Sequence, residues 1–374
     1  MAQQQNHYFA VTTPGFEAVC AAELAALGID DAQLLTGGVG FAGGLRELYL
    51  ANLWLRSASR VLVRVGELSA RDFPTLYKKL LRLPWGRFIK PESRPVIRVT
   101  CHRSRLSHSG RIGETCREAI AKALATEPSS GAEVAVYLRL EDDRCLVSVD
   151  SSGELLHRRG YRLATVAAPL RETLAAGCLL ALGYDGSRPL VDAMTGSGTF
   201  AIEAALIALH RAPGSKRRFA FMDWPKYRDG LWQQLLQEAQ RTEKKELPAT
   251  ICAVDNNPKA IDAARQNVTA SGLTGLLEPV CQPMQELAGR AQTGLILCNP
   301  PYGERIGRTA ALRALYKDLG RVYRQSFASW ESALICPDSE LVQVTGIPFA
   351  PVIRFSNGGI RVALLRRMAD AKNP

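Results

Sequence analysis

No run of about 18 apolar residues occurs anywhere in this 374-residue chain, so the sequence offers no candidate membrane span. The longest apolar stretch, Phe200–Leu209, is interrupted by Glu203 and reads as a sheet-covering helix. The opening Met1-Ala-Gln-Gln-Gln-Asn has neither the basic nor the apolar region of a signal peptide. Nine cysteines form no Cys-x-x-Cys pair, which argues against a zinc ribbon or a disulfide framework. Their apolar contexts suit reduced, buried thiols and predict a cytoplasmic protein. Cys101-His102 with His108 and Cys116 is the one cluster of ligand types, and its basic surroundings speak against a metal. There is no internal repeat and no low-complexity tract. At 47% hydrophobic and 22% charged residues, this is ordinary globular material, long enough for two or three domains.

What is present begins with Asn299-Pro300-Pro301-Tyr302, directly after the apolar run Gly294-Leu-Ile-Leu-Cys298. Such a run reads as a buried parallel strand delivering a loop to the carboxyl edge of a sheet. Two prolines fix their own φ angles, remove two amide donors and push Asn299 away from helical geometry. The rigid loop carries free carbonyls, an amide and an aromatic ring, a set suited to gripping a planar base by its exocyclic amine. Asn-Pro also starts ordinary turns, so the loop alone leaves both readings open.

Upstream, Pro189-Leu-Val-Asp192 runs into Ala193-Met-Thr-Gly196-Ser-Gly198-Thr199 and then into a helical pattern. Glycines at 196 and 198 allow a sharp turn and close approach of a ligand. No Gly-Lys-Ser/Thr follows and the third glycine of a dinucleotide fingerprint is missing, so phosphate-cradling loops are disfavoured. An acid at the strand end repels pyrophosphate but suits a cationic ligand such as S-adenosylmethionine. The next strand, Ala249–Val254, ends in Asp255-Asn256-Asn257-Pro258, with Asn257 placed to cap a helix whose first turn holds Pro258. An acid at the end of the second strand is the usual ribose acceptor in doubly wound sheets, although Asp before Asn-Asn-Pro is also simple turn chemistry.

Together, 192–199, Asp255 and Asn299-Pro-Pro-Tyr-Gly-Glu-Arg305 resemble the motifs of class I S-adenosylmethionine methyltransferases acting on exocyclic amines. His157-Arg-Arg-Gly-Tyr161-Arg, Ala168-Pro-Leu-Arg-Glu-Thr-Leu-Ala175, Arg211-Ala-Pro-Gly214 and the start Tyr8–Val19 resemble the THUMP-containing guanine-N2 RNA methyltransferases. The resemblance implies a Rossmann-like α/β transferase domain at 159–374, with a mostly parallel seven-stranded sheet and a terminal antiparallel hairpin. Preceding it would be a ferredoxin-like domain at 1–60 and an RNA-binding THUMP domain at 61–155. It further implies S-adenosylmethionine held by Asp192, Ala193, Gly196, Gly198, Thr199, Asp255 and Asn256, and catalysis by Asn299, Pro300, Pro301 and Tyr302. The substrate would be a guanine of RNA, with 23S ribosomal RNA favoured and tRNA as the alternative. An adenine-amine DNA methyltransferase and a non-catalytic ribosome-assembly factor are the rival classes. Some family members carry a second fused methyltransferase, for which 374 residues leave no room. One departure stands out: Pro283 occupies the place of the acid expected to bind the adenine amine, with Gln282 or Gln285 as substitutes.

Charge supplies the other clue. Of a net +11, the segment Arg71–Arg111 alone contributes eleven Lys/Arg against Asp72 and Glu92. Interleaved Phe73, Tyr77, Trp85 and Phe88 make it read as a phosphate-neutralising, base-stacking surface. Lys216–Arg218, Arg305, Arg308 and Arg366-Arg367 add smaller basic groups. Asp192 and Asp255 lie 63 positions apart, more than one helix and loop require. The surplus at about 211–248, rich in Phe219, Phe221, Trp224, Tyr227 and Trp232, is expected either to be a solvated insertion or to wall the substrate pocket. Asn357-Gly358 marks a closing hairpin.

Overall fold

The computed structural model describes residues 6–125, 131–165, 170–302, 309–337 and 340–368. The sequence features at 127–130, Ala168, Pro169, Gly303, Glu304, Arg305 and Arg308 lie outside the described residues. Two compact units are present. One holds the chain up to Thr12, Ala21–Leu156 and Arg217–Glu238; the other holds Thr13–Cys20, His157–Lys216 and the chain from Ala239.

The first unit is built on one seven-stranded sheet: β1 (Asn6–Thr12), β2 (Gln33–Leu35), β3 (Gly38–Gly43), β4 (Ala58–Ser69), β5 (Arg94–His102), β6 (Glu133–Glu141) and β7 (Arg144–Asp150). Their order is β2-β3-β1-β4-β7-β6-β5, and only β5 and β6 run parallel. The expected boundary at 60/61 falls inside β4, which pairs with β1 on one side and β7 on the other. Residues 6–60 and 61–150 therefore share a continuous hydrogen-bonded sheet. Strict alternation in β6 buries Val134, Val136, Leu138 and Leu140 and turns Tyr137 and Arg139 to the opposite side.

The second unit carries β8 (Leu190–Asp192), β9 (Ile251–Asp255), β10 (Pro279–Cys281), β11 (Leu295–Cys298), β12 (Glu331–Cys336), β13 (Phe349–Asn357) and β14 (Ile360–Arg367). Their order, β10-β9-β8-β11-β12-β14-β13, is parallel except where β14 meets β12 and β13. Cores lie on both faces: Leu295 and Leu297 enter one, Ile296 and Cys298 the other. Burial on both faces explains the unbroken apolar run before Asn299. As expected, Asn257 caps the helix Pro258–Ser271, accepting from the Lys259 amide at 3.1 Å, and Gly272 ends it in the left-handed region. The terminal hairpin is displaced by one residue from the Asn357-Gly358 expectation. Asn357 is the last paired residue, and Gly358 and Gly359 form the loop with φ of 59° and 87°. Two consecutive positive φ angles match the twist of a hairpin, and glycine adopts them without strain.

The surplus between Asp192 and Asp255 is a graft rather than a solvated flap. Arg217–Glu238 belongs to the first unit, where Phe219, Phe221, Trp224 and Trp232 are buried. Tyr49 stacks on Phe221 at 4.3 Å between ring centroids, with Trp232 edge-on. These rings fill a core, so the pocket-wall expectation is not what their packing supports.

Candidate active site

Strand register brings the three sequence motifs of the second unit to one edge. In β8, Asp192 pairs with Ala253 of β9 and with Leu297 of β11. Asp255 and Asn299 each follow two residues later, so both overhang the β8 end on either side. This is the point where the chain reverses its direction of travel across the sheet, the usual ligand crevice of open α/β folds. Backbone bonds lock the junction: Ala193 donates to the Leu297 carbonyl at 3.1 Å and Thr195 to that of Val254 at 2.8 Å. Gly196, at φ 54°, donates its amide to Asp255 Oδ2 at 2.9 Å. Gly198, at φ 87°, opens the helix Thr199–Ala208, and a Cβ there would meet Ala264 at 3.3 Å. Asp255 is half-buried, its Oδ1 accepting from the Asn257 amide at 3.0 Å, while Asn256 beside it is exposed.

The electrostatics of this edge centre on Asp192. Its side chain is buried, with Oδ2 accepting from the Thr195 hydroxyl at 2.6 Å and Oδ1 left without a hydrogen bond. Burial pushes its carboxyl up to about 7; the Thr195 bond opposes the rise and the nearby Asp255 charge adds to it. A desolvated acid with an unused oxygen is incomplete by itself, and a cation laid against it would supply the missing partner. These residues suit the ammonium and ribose of S-adenosylmethionine better than any phosphate.

Across the crevice, the Asn299 side-chain oxygen is buried and likewise unpartnered. The loop that follows is pinned from two directions. Tyr316, fully buried in the helix Thr309–Gln325, directs its hydroxyl to the Pro301 carbonyl at 3.4 Å. Asn357, at the end of β13, donates from Nδ2 to the Tyr302 hydroxyl at 2.8 Å. The Tyr302 ring rests against the core cluster of Leu295 and Leu297 and stays partly exposed. Asn357 is therefore positioned to set the ring plane of Tyr302. Replacing Asn357 with alanine should cost about one hydrogen bond, roughly a 5-fold fall in kcat, with S-adenosylhomocysteine affinity unchanged. In a Tyr302→Phe background the same change should cost nothing further. Equal losses in both backgrounds would disprove the coupling.

Two positions that hold the glycine turn were given no role by sequence reasoning. Arg162 reaches Glu172 Oε1 at 2.7 Å, the Leu170 carbonyl at 2.8 Å, Thr199 Oγ1 at 3.0 Å and Ser197 Oγ at 3.3 Å. The Thr199 hydroxyl is thus committed to Arg162. Asn267 donates to the carbonyls of Ser197 and Ala164, both at 2.9 Å, and accepts from the amides of Leu163 and Ala164. The glycine turn is thereby clamped to Arg162, Leu163, Ala164 and Leu170. Arg162 stood inside a recognised motif, but no local pattern marks Asn267, 70 positions from Ser197. The preceding motif residues Arg159 and Tyr161 bond Glu203 in the helix behind the turn, at 3.5 and 3.0 Å. Of the two glutamines, Gln282 lies beside Asp255, donating its amide to that residue's carbonyl at 3.0 Å. Gln285 is engaged with Asp318 at 3.0 Å. The Gln282 bond is made by its backbone; its side chain is engaged as well, Nε2 donating to the Glu286 carbonyl at 3.1 Å.

The basic segment of the first unit is not one surface. Trp85 and Phe88 are core residues, Trp85 donating to the Leu80 carbonyl at 2.8 Å and Phe88 packing edge-on against Trp224. Their apolar bulk outweighed any stacking use. Phe73 lies under Arg111 at 4.3 Å, and Arg71 pairs with Asp143 at 2.9 Å. His108 caps the helix Ser109–Leu124, in which Cys116 is buried; among the described residues no group of side chains could hold a metal. No helix among them is long and apolar enough to cross a membrane.

Residues 159–347 match the RMKL-like methyltransferase domain, and residues 7–62 match the RlmL ferredoxin-like domain. The chain is 33% identical to "Putative RNA methyltransferase slr0064" of Synechocystis sp., covering 96% of both proteins. It is 36% identical to "Ribosomal RNA large subunit methyltransferase K/L" of Syntrophotalea carbinolica, covering 96% of this chain but 53% of that protein. Two solved structures superpose along nearly the whole length. "SMU.472, a putative methyltransferase complexed with SAH" gives a TM-score of 0.92 at 29% identity, covering 99% of this chain and 100% of that one. "A predicted N6-adenine-specific DNA methylase from Listeria monocytogenes" gives 0.89 at 29% identity, covering 96% of each.

Proposed function

This chain belongs to the RMKL-like family of S-adenosylmethionine-dependent RNA methyltransferases, and from that premise we propose that it methylates the exocyclic N2 of a guanine in large-subunit ribosomal RNA. One observation carries the reading: the buried, unpartnered Asn299 oxygen overhangs the same strand edge as the buried Asp192, whose Oδ1 has no hydrogen bond. One site thus offers an acceptor for an amine hydrogen and an anion for a cationic cofactor. Bound S-adenosylmethionine supplies an electrophilic methyl group. The chain's own residues do the rest. Asn299 Oδ1 and the Pro300 carbonyl accept the two amine hydrogens and turn the nitrogen lone pair toward the cofactor side. Tyr302, held by Asn357, stacks on a base withdrawn from its helix. Asp255 takes the ribose hydroxyls, and the adenine amine, whose expected acid is replaced by Pro283, is left to the side-chain oxygen of Gln282 or Gln285. An aryl amine is a weak nucleophile because its lone pair is delocalised, so orientation and electrostatics must provide most of the acceleration. No side-chain base is required first, since the amine proton becomes acidic only as the new bond forms.

In this reading residues 61–155 form the RNA-binding THUMP segment, which shares its sheet with the ferredoxin-like 1–60, and 159–374 form the transferase. The chain spans about half the length of the K/L relatives, whose ribosomal substrate is here a proposal. The decisive test offers tritiated S-adenosylmethionine with unmodified large-subunit rRNA, tRNA or duplex DNA, followed by nucleoside mass spectrometry. N2-methylguanosine in the rRNA is expected. N6-methyladenosine in duplex DNA would establish the rival that the Listeria neighbour's description favours. Absence of S-adenosylhomocysteine binding would leave only a non-catalytic RNA binder.

A further inference from the structure

We propose that the exposed side of β5 and β6, extended by Arg64 of β4, is a docking platform for an unpaired RNA segment; Arg60, on the same strand, is already paired with the buried Asp150. Four strands present one row of side chains. Arg98 of β5 pairs with Tyr137 of β6, Tyr137 with Ser148 of β7, and Ser148 with Arg64 of β4. Paired residues point to the same side of a sheet, so a tyrosine and a hydroxyl stand between two guanidinium groups. With strands about 4.8 Å apart, Arg98 and Arg64 are roughly 14 Å apart at the backbone, a span of about two nucleotide steps. Arg139, one row along, lies beside Arg64, and Arg60 stands 5.3 Å from the Tyr137 ring centroid. The helix Ser109–Leu124 packs on the other side, where a Cβ at Gly113 would meet Ile97 and Val99. On the proposed platform Arg98, Thr100, His102 and Arg139 are exposed and Tyr137 is half-exposed.

Charge complementarity identifies the occupant. Among the described residues, neither Arg64 nor Arg98 has a carboxylate partner. Arg64 donates to Ser148 Oγ at 2.9 Å and lies over the Phe9 ring at 4.2 Å. Burial lowers its guanidinium to about 10, and Arg139 pushes the same way. A half-buried cation without a counterion is an unfinished arrangement that a phosphate would complete. Arg139 is bonded only to the exposed Glu141, a surface pair too weak to hold it from a phosphate. A sheet face that sets an aromatic ring between guanidinium groups serves a single strand, whose bases are free to stack. A duplex would offer phosphates but no base face.

The inference rests on the RNA-methyltransferase reading for the class of its ligand, and its test separates the two. A 12-nucleotide oligouridylate and a 12-base-pair RNA duplex serve as probes for the full chain. Arg98→Ala with Arg139→Ala should weaken oligouridylate binding at least 10-fold at low salt. The slope of log affinity against log salt should fall by about 1.4, that is 0.7 for each of two phosphates. Tyr137→Ala should weaken it roughly 5-fold or more, with Tyr137→Phe close to the parent, because stacking needs the ring rather than the hydroxyl. S-adenosylhomocysteine affinity should be unchanged in every variant. Unaltered oligouridylate affinity and slope in the double variant would overturn the proposal, as would a loss confined to the duplex. A parent protein that binds oligouridylate but yields no N2-methylguanosine would leave this platform standing and remove the guanine reading instead.

Discussion

Replacing Asn299 by alanine is expected to lower methyl transfer to RNA about 100-fold or more, the scale of losing one preorganised polar group. S-adenosylhomocysteine binding should persist, because in the proposed reading β8, β9 and the glycine turn, not β11, hold the cofactor. The physical basis is the side-chain oxygen that is buried without a partner. Alanine would remove an acceptor whose desolvation has already been met, and no neighbouring group could replace it. Aspartate at the same position keeps an acceptor and should retain more activity than alanine. Single-turnover rates with saturating RNA separate this loss from weaker binding. Near-normal turnover in Asn299→Ala would refute its role at the amine.

Asp192→Asn is expected to act in opposite directions on binding and on stability. The buried acid keeps one oxygen without a hydrogen bond among the described residues, which a cationic ligand would complete. Asparagine should weaken S-adenosylhomocysteine binding about 30-fold or more, the scale of breaking a buried charge pair. Stability moves the other way. Folded Asp192 keeps its proton up to about pH 7, whereas the unfolded carboxyl releases it near 3.8. Between those values the folded chain binds more protons, so stability is greatest below pH 4 and is lost progressively as pH rises through 7. A shift of about three units corresponds to about 4 kcal/mol, present at low pH and gone above 7. Asparagine abolishes that titration. The ligand-free variant should therefore melt several degrees above the parent at pH 8. The parent's affinity for S-adenosylhomocysteine should climb with pH and level off above about 7, and the variant's should stay flat. Parallel pH profiles for the two proteins would remove Asp192 from the cofactor site.

Legibility in the sequence followed the range of the interactions involved. The glycine turn, the Asn257 cap, the strands ending in Asp192 and near Asp255, and the apolar run before Asn299 were readable because each depends on a few adjacent residues. The hairpin was found but misplaced by one position, since two glycines competed with Asn357 for the positive-φ sites. Aromatic residues were read least well. Trp85 and Phe88 were expected on a stacking surface, and Phe221 and Trp232 in a solvated insertion or a pocket wall, yet all four are buried. Sequence shows that such rings are near charges; it does not show that their large apolar area is better satisfied against Tyr49 or Trp224. Asn267 and Asn357 were missed because their partners lie 70 and 55 positions away in the chain.

The sequence by itself determined the chemistry at the carboxyl edge of the second sheet: which acids end β8 and β9, where glycine lets the backbone turn, and why a proline pair stiffens the loop after β11. Those properties follow from local dihedral limits and burial pattern, which need no distant neighbour. Only the tertiary structure decided which groups face one another. Register set Asp192 level with Leu297, lined Arg98 up with Tyr137 and Arg64, and drew Arg217–Glu238 into the first unit. Pairing between strands far apart in the chain is settled by the sum of many weak contacts, and no short window of residues contains that sum.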